Sequence, residues 1–137
     1  MCFRFRLQHE YDLLDSGCPP SDYLPKNVEV AFRWVYDNIN NANNFLTQYE
    51  KEPSRFNEKS DALKCAALGL SFFDSLENAK NRFNNLKIQM GGKIYDTLGK
   101  HIAKGSIQSS DGVSGLCNNI GHFTHHSYYY IKLFREF

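Results

Sequence analysis

The clearest pattern along the chain is an alternation at residues 28–36. Val28, Val30, Phe32, Trp34 and Tyr36 alternate with Glu29, Ala31, Arg33 and Val35. A period of two in β-favouring residue types predicts a strand. The same stretch also fits a helical stripe through Val28, Phe32, Val35, Ile39, Ala42, Leu46 and Tyr49. Asn38, Asn40, Asn41, Asn43 and Asn44 oppose that helix, because asparagine competes for backbone hydrogen bonds and favours turns. A strand to about Tyr36 followed by an asparagine-rich loop is therefore expected. Pro53-Ser54-Arg55-Phe56 reads as a connector, residues 57–64 as a short helix, and residues 65–73 as a small, apolar strand. Gly69 inside that strand suits a site that another backbone approaches closely. Asp74 or Ser75 can cap a helix over residues 76–86, with Glu77 in its first turn and Leu76, Ala79, Phe83 and Leu86 on one face. Met90-Gly91-Gly92 breaks it. Residues 101–107 alternate again and predict a strand, Ser109-Ser110-Asp111-Gly112 and Asn118-Asn119-Ile120-Gly121 predict turns, and residues 122–134 predict one or two closing strands.

Residues 1–27 read as an irregular N-terminal segment, with residues 28–137 as the core of a single domain. Gly17-Cys18-Pro19-Pro20 and Pro25 interrupt any helix there. A short strand over residues 2–7 and one helical turn at Tyr11-Asp12-Leu13-Leu14 are the regular structure expected. The pattern as a whole predicts an α+β domain: a compact, twisted, mainly antiparallel sheet with a few flanking helices.

Composition narrows the function classes. The 137 residues are 42% hydrophobic and 23% charged, which is a globular balance. Sixteen Lys+Arg against fifteen Asp+Glu leave a formal charge of +1, so a broad nucleic-acid or anionic-membrane surface is not expected. No apolar run approaches the roughly 18 residues of a membrane helix. Met1-Cys2-Phe3-Arg4-Phe5-Arg6 lacks the apolar stretch of a secretory signal, so a cytoplasmic protein is expected. Cys2, Cys18, Cys65 and Cys117 form no C-x-x-C pair and read as free, buried thiols. Aromatics make up 15% of the chain and are expected chiefly in the core.

Few constellations carry chemistry. There is no phosphate-binding glycine loop and no nucleophile elbow. His122, His125 and His126 lie close in sequence, but strand alternation sends His122 and His126 to one face and His125 to the other, so no metal site is expected from them. Arg33 stands among apolar neighbours in Val30-Ala31-Phe32-Arg33-Trp34-Val35 and needs a partner, because an unpaired buried charge is costly. It suits a bidentate phosphate contact or an internal ion pair. Ser71 ends a strand just before a helix and can hold a ligand or a backbone group.

The order Phe32-Arg33-Trp34-Val35, then Gly69-Leu70-Ser71-Phe72-Phe73-Asp74-Ser75 running into Leu76-Glu77-Asn78-Ala79, resembles the ADP-ribosyltransferase-like fold. It is similar to the small bacterial toxin branches, such as the RES-domain type, and to RNA 2'-phosphotransferases. The resemblance implies an enzyme that cleaves NAD and passes ADP-ribose to a protein or nucleic-acid acceptor, as a toxin of a toxin–antitoxin or phage-defence system would. It implies that Arg33 binds the NAD diphosphate, that Ser71 orients the ribose, and that Tyr36, Phe72 or Phe73 packs on the nicotinamide. Many such enzymes carry a late glutamate, whereas the closing region here has none before Glu136. A histidine of the trio His122, His125 and His126 takes over its polar role, Glu136 folds back, or the domain is inactive. A nucleic-acid acceptor would use Lys100 and Lys104. The competing reading is a non-catalytic interaction module, an immunity or antitoxin-like partner with the aromatic closing strands as its contact surface.

Overall fold

In a computed structural model, which describes residues 5–128, the chain builds one five-stranded sheet in the order β3-β1-β2-β5-β4. Its strands are β1 (Val28–Val35), β2 (Leu70–Phe73), β3 (His101–Ile107), β4 (Gly112–Ser114) and β5 (His122–Ser127). Every pairing is antiparallel. The α+β class and the antiparallel sheet are as the alternation predicts. Ala31, Phe45, Leu70, Phe72, Ile107 and Phe123 form the core on one face of the sheet. Helix α4 (Leu76–Met90) covers the other face. There the Trp34 indole donates to the Ala79 carbonyl at 3.0 Å and packs against the Phe73 and Phe83 rings.

Helix α4 starts where the sequence places it. The Ser75 hydroxyl accepts from the Asn78 amide at 3.1 Å, and the helix runs one turn beyond residue 86 to Gly91. The other helices are α1 (Gln8–Asp12), α2 (Gln48–Lys51), α3 (Asp61–Ala67) and α5 (Lys93–Leu98). Single 3-10 turns at Ala42–Phe45 and Pro53–Phe56 complete the connections.

Three expectations need correction. Residues 65–73 are not one strand: Cys65, Ala66 and Ala67 finish α3, which the Ser60 hydroxyl caps through the Leu63 amide. Small residues serve helix and strand alike, and the cap decides between them. The helical turn of the N-terminal segment lies at Gln8–Asp12 rather than at residues 11–14. Cys18 and Cys65 are not free thiols but a disulfide, closed across 47 residues, while Cys117 is free and exposed. A loop of that length stabilises the fold by about 4 kcal/mol through the entropy of the unfolded chain. The bond also removes the free-thiol argument for a cytoplasmic setting. No helix among the described residues is long and apolar enough to cross a membrane. The strand expected over residues 2–7 falls partly outside the described residues; within them Phe5 forms a single bridge to Tyr128. The closing region beyond Tyr128, Glu136 included, also lies outside them.

One feature of the sheet positions the site. Strands β1 and β2 share a single register pair, Phe32↔Phe73. Beyond it β1 stays with β3 as far as Val35↔His101, and β2 stays with β5 as far as Leu70↔His125. The sheet therefore splits between the C-terminal half of β1 and the N-terminal half of β2.

Gly69 marks the close approach expected of it. A Cβ there would collide with Thr124 Cγ2 and press on His126 Cε1 at 3.1 Å and the His125 carbonyl at 3.2 Å. Overpacking of this kind costs about 1–3 kcal/mol. Gly69→Ala is expected to lower the denaturant midpoint accordingly, and Thr124→Ala to recover part of the loss in the double variant, read by equilibrium unfolding.

Candidate active site: a cationic cleft at the split in the sheet

The split holds the guanidinium of Arg33. Its Nε donates to the Asn44 carbonyl at 2.9 Å and its Nη1 to the Ser71 carbonyl at 2.8 Å. Arg33 thus bridges the two strands where their own ladder is missing. It is 9% exposed, between the Phe45 and Phe72 rings. Burial lowers its pKa to about 10, so it stays charged at neutral pH. The two bonds use two of its five N–H donors.

The asparagine-rich loop is built for this contact. The buried Asn44 accepts from the Tyr36 amide through Oδ1 at 2.6 Å, and its Nδ2 donates to the Asn38 and Ile39 carbonyls. These bonds fix the peptide whose carbonyl receives Arg33. Sequence reading took the asparagines as a loop signal alone and missed this role.

A cavity of about 310 Å³ opens at the split, lined by Arg33, Trp34, Tyr36, Lys51, Arg55, Ser71, Phe73, Arg82 and His122 among others. It is at the small end for a ligand pocket. Among the described residues, four of the lining side chains are cations at neutral pH and none is a carboxylate. The nearest acid of α2, Glu50, is held by Arg6 and by the capping box with Thr47. A concave surface of one sign concentrates counter-ions and suits an anion of several charges.

Lys51 lies against the Tyr36 ring, with its Nζ donating to the Thr97 carbonyl at 3.3 Å. Burial and then the charge of Arg33 bring its pKa down to about 8. The Tyr36 hydroxyl faces the Asp96 and Thr97 carbonyls at 2.7 and 2.9 Å and so anchors α5 to the end of β1. On the opposite wall, Nε2 of His122 lies 3.0 Å from the Ser71 hydroxyl. Burial, followed by the Arg82 charge, lowers the His122 pKa, which keeps the imidazole neutral. In the tautomer protonated at Nδ1 it accepts the Ser71 proton, giving a hydroxyl–imidazole pair at the edge of a cationic pocket.

The site residues foreseen in the sequence therefore divide. Arg33, Tyr36, Ser71 and His122 converge on the cleft. Phe72 does not: it is fully buried in the core and stacks on Phe123, and its neighbour Phe73 lines the cavity instead. His125 points to the opposite face, as strand parity requires, and holds the Ser114 hydroxyl at 2.8 Å. His126 lies at the far end of β5, bonded to Tyr11. Burial drives both pKa values down to about 4, and both act as buried neutral side chains outside the cleft. Lys51, Arg55 and Arg82 were missed. Only Arg82 carried a signal, since Arg82, Leu86 and Met90 repeat every four residues along α4 and all face the cavity.

The lowered Lys51 pKa fixes the sign of a pH effect. The ammonium is present below about pH 8 and is lost above it, so anion affinity falls as pH rises through that value. Titration with inorganic pyrophosphate is expected to show roughly tenfold weaker binding at pH 9.5 than at pH 7. Lys51→Gln is expected to bind more weakly at pH 7 and to lose the step near pH 8, keeping only the later fall toward pH 10 that comes from Arg33. Comparison with known families, with curated proteins and with solved structures returns no match for this chain.

Proposed function

We propose that the cleft is a dinucleotide site and that the protein is an ADP-ribosyltransferase-like enzyme acting on NAD. The observation that supports this most is a buried arginine at the floor of the pocket, held by two backbone carbonyls and, among the described residues, neutralised by no acid. Such a group has its charge left over for a ligand. Arg33 and Lys51 hold the diphosphate, and Trp34 and Tyr36, which the fully buried Phe73 backs, offer aromatic surface to the nicotinamide. A cavity of about 310 Å³ takes the nicotinamide, its ribose and the diphosphate, and leaves the adenosine outside.

In the reaction the C1'–N bond breaks and nicotinamide leaves with the bonding pair. An acceptor hydroxyl attacks C1', and its proton passes through Ser71 to Nε2 of His122. With no carboxylate in the lining among the described residues, the negative charge they leave nearest the oxocarbenium-like ribose is the diphosphate of the substrate itself. Arg33 then serves to place that charge. The acceptor is a macromolecule that reaches the mouth of the cleft. The toxin role and the cytoplasmic setting belong to this same proposal. The interaction-module reading loses part of its contact surface, because Phe123, His125 and His126 are buried.

Nicotinamide release from NAD tests the reading. Arg33→Ala is a poor probe, since removing the guanidinium orphans two buried carbonyls at a cost of about 1–3 kcal/mol each. His122→Asn is better: it is expected to lower the rate about 100-fold while leaving pyrophosphate binding intact. A purified wild-type protein that binds pyrophosphate but never consumes NAD would overturn the transferase and leave the anion cleft standing.

A further inference from the structure

The disulfide that ties the N-terminal segment to α3 has a third ligand-forming group beside it. The sulfurs of Cys18 and Cys65 and a ring nitrogen of His126 all lie within 4.8 Å of one another. They come from three separate parts of the chain, which is why no local spacing announces them. Cys65 and His126 are buried and Cys18 is half-buried.

The hydrogen bonds around His126 decide which nitrogen is available. The Tyr11 hydroxyl lies 3.2 Å from the Leu68 carbonyl and 2.7 Å from Nδ1 of His126. A carbonyl can only accept, so both contacts of the phenol are hydrogen bonds in the tautomer in which the phenol proton goes to Leu68 and Nδ1 supplies its own proton to the phenol oxygen. Nε2 then carries the lone pair. This is the outer arrangement that orients a metal-binding histidine: the far nitrogen donates to a fixed acceptor, and the near one is left as the ligand.

We propose that reduction of the Cys18–Cys65 bridge converts this corner into a site for a thiophilic divalent cation of the zinc class. Two thiolates and Nε2 of His126 are its ligands, and a fourth position is open to solvent or an exogenous ligand. A cellular dithiol supplies the two electrons and closes to its own disulfide, leaving two protein thiols. Binding the cation then releases two protons. Tetrahedral zinc, with bonds of about 2.3 Å to sulfur and 2.0 Å to nitrogen, holds its ligand atoms about 3.5–3.8 Å apart. The cluster meets that by parting the sulfurs and drawing in the imidazole. Two thiolates against a divalent ion give no net charge, which suits a buried corner that keeps its histidine neutral. Sulfur ligands select zinc over magnesium or calcium. The cation would fasten the same three segments that the disulfide and the Tyr11 bond now join. The site stands independently of the NAD reading.

Cobalt titration of the folded chain tests this, in a Cys2→Ser/Cys117→Ser background so that neither of the other two cysteines contributes. After reduction with a phosphine, which is oxidised to its oxide and brings no competing thiol, one cobalt per chain is expected. It should show a thiolate-to-cobalt charge-transfer band and tetrahedral visible bands, and zinc should displace it. The oxidised chain should show neither, and Cys65→Ser should lose the charge-transfer band. Tyr11→Phe, which removes the group that sets the tautomer, is expected to weaken binding 10–100-fold. A reduced wild-type chain without a stoichiometric band overturns the site, as does a band that survives in Cys65→Ser or is equal in the oxidised chain. Unchanged cobalt affinity in Tyr11→Phe overturns the assignment of Nε2.

Discussion

A guanidinium held by two carbonyls, with no carboxylate partner among the described residues, holds this molecule together where its sheet would otherwise part. Strand β1 carries Arg33 on the same face as Ala31 and Val35, so the fold has to bury a charge in a row of apolar side chains. Pairing it with an acid would neutralise it and close the cavity. The chain instead gives it the carbonyls of Asn44 and Ser71, which satisfy hydrogen bonds without cancelling charge. The single register pair between β1 and β2 follows from this, since the arginine occupies the line that further ladder bonds would take.

The surroundings build on that residual charge. Asn44 fixes the loop, Tyr36 fixes α5, and Lys51 is held close enough to Arg33 to feel its charge. Four cations crowded in a small concavity repel one another, and the described residues place no counter-ion among them. An arrangement of this kind is relieved when an anion enters, so ligand binding and stability are coupled. The neutral Ser71–His122 pair at the same wall adds a proton acceptor beside the anion site.

Much of the fold was legible in the sequence where periodicity was long enough to speak. The alternation at residues 28–36 and 101–107 gave two strands, and Ser75 gave the start of α4. Shorter elements escaped. Helix α5 has six residues after a glycine pair, too few to display a period, and the Cys65-Ala66-Ala67 run fits either state. The disulfide was invisible because 47 residues separate its halves. In the site, Arg33 stood out because a cation among apolar residues demands an explanation. Lys51, Arg55 and Arg82 did not, because cations on helices and loops are ordinarily solvated and only the tertiary fold turns them toward one cavity. Strand parity correctly separated His125 from His122, but it could not show that His126, on the same face as His122, lies beyond the cleft beside the disulfide.

The most direct measurement is a crystal structure of the protein soaked with NAD. The account predicts the diphosphate seated in the split between β1 and β2, within hydrogen-bond distance of Arg33, with the Asn44 and Ser71 carbonyl bonds kept. Density for the ligand on another face, or a diphosphate held by Arg55 and Arg82 with Arg33 untouched, would contradict it.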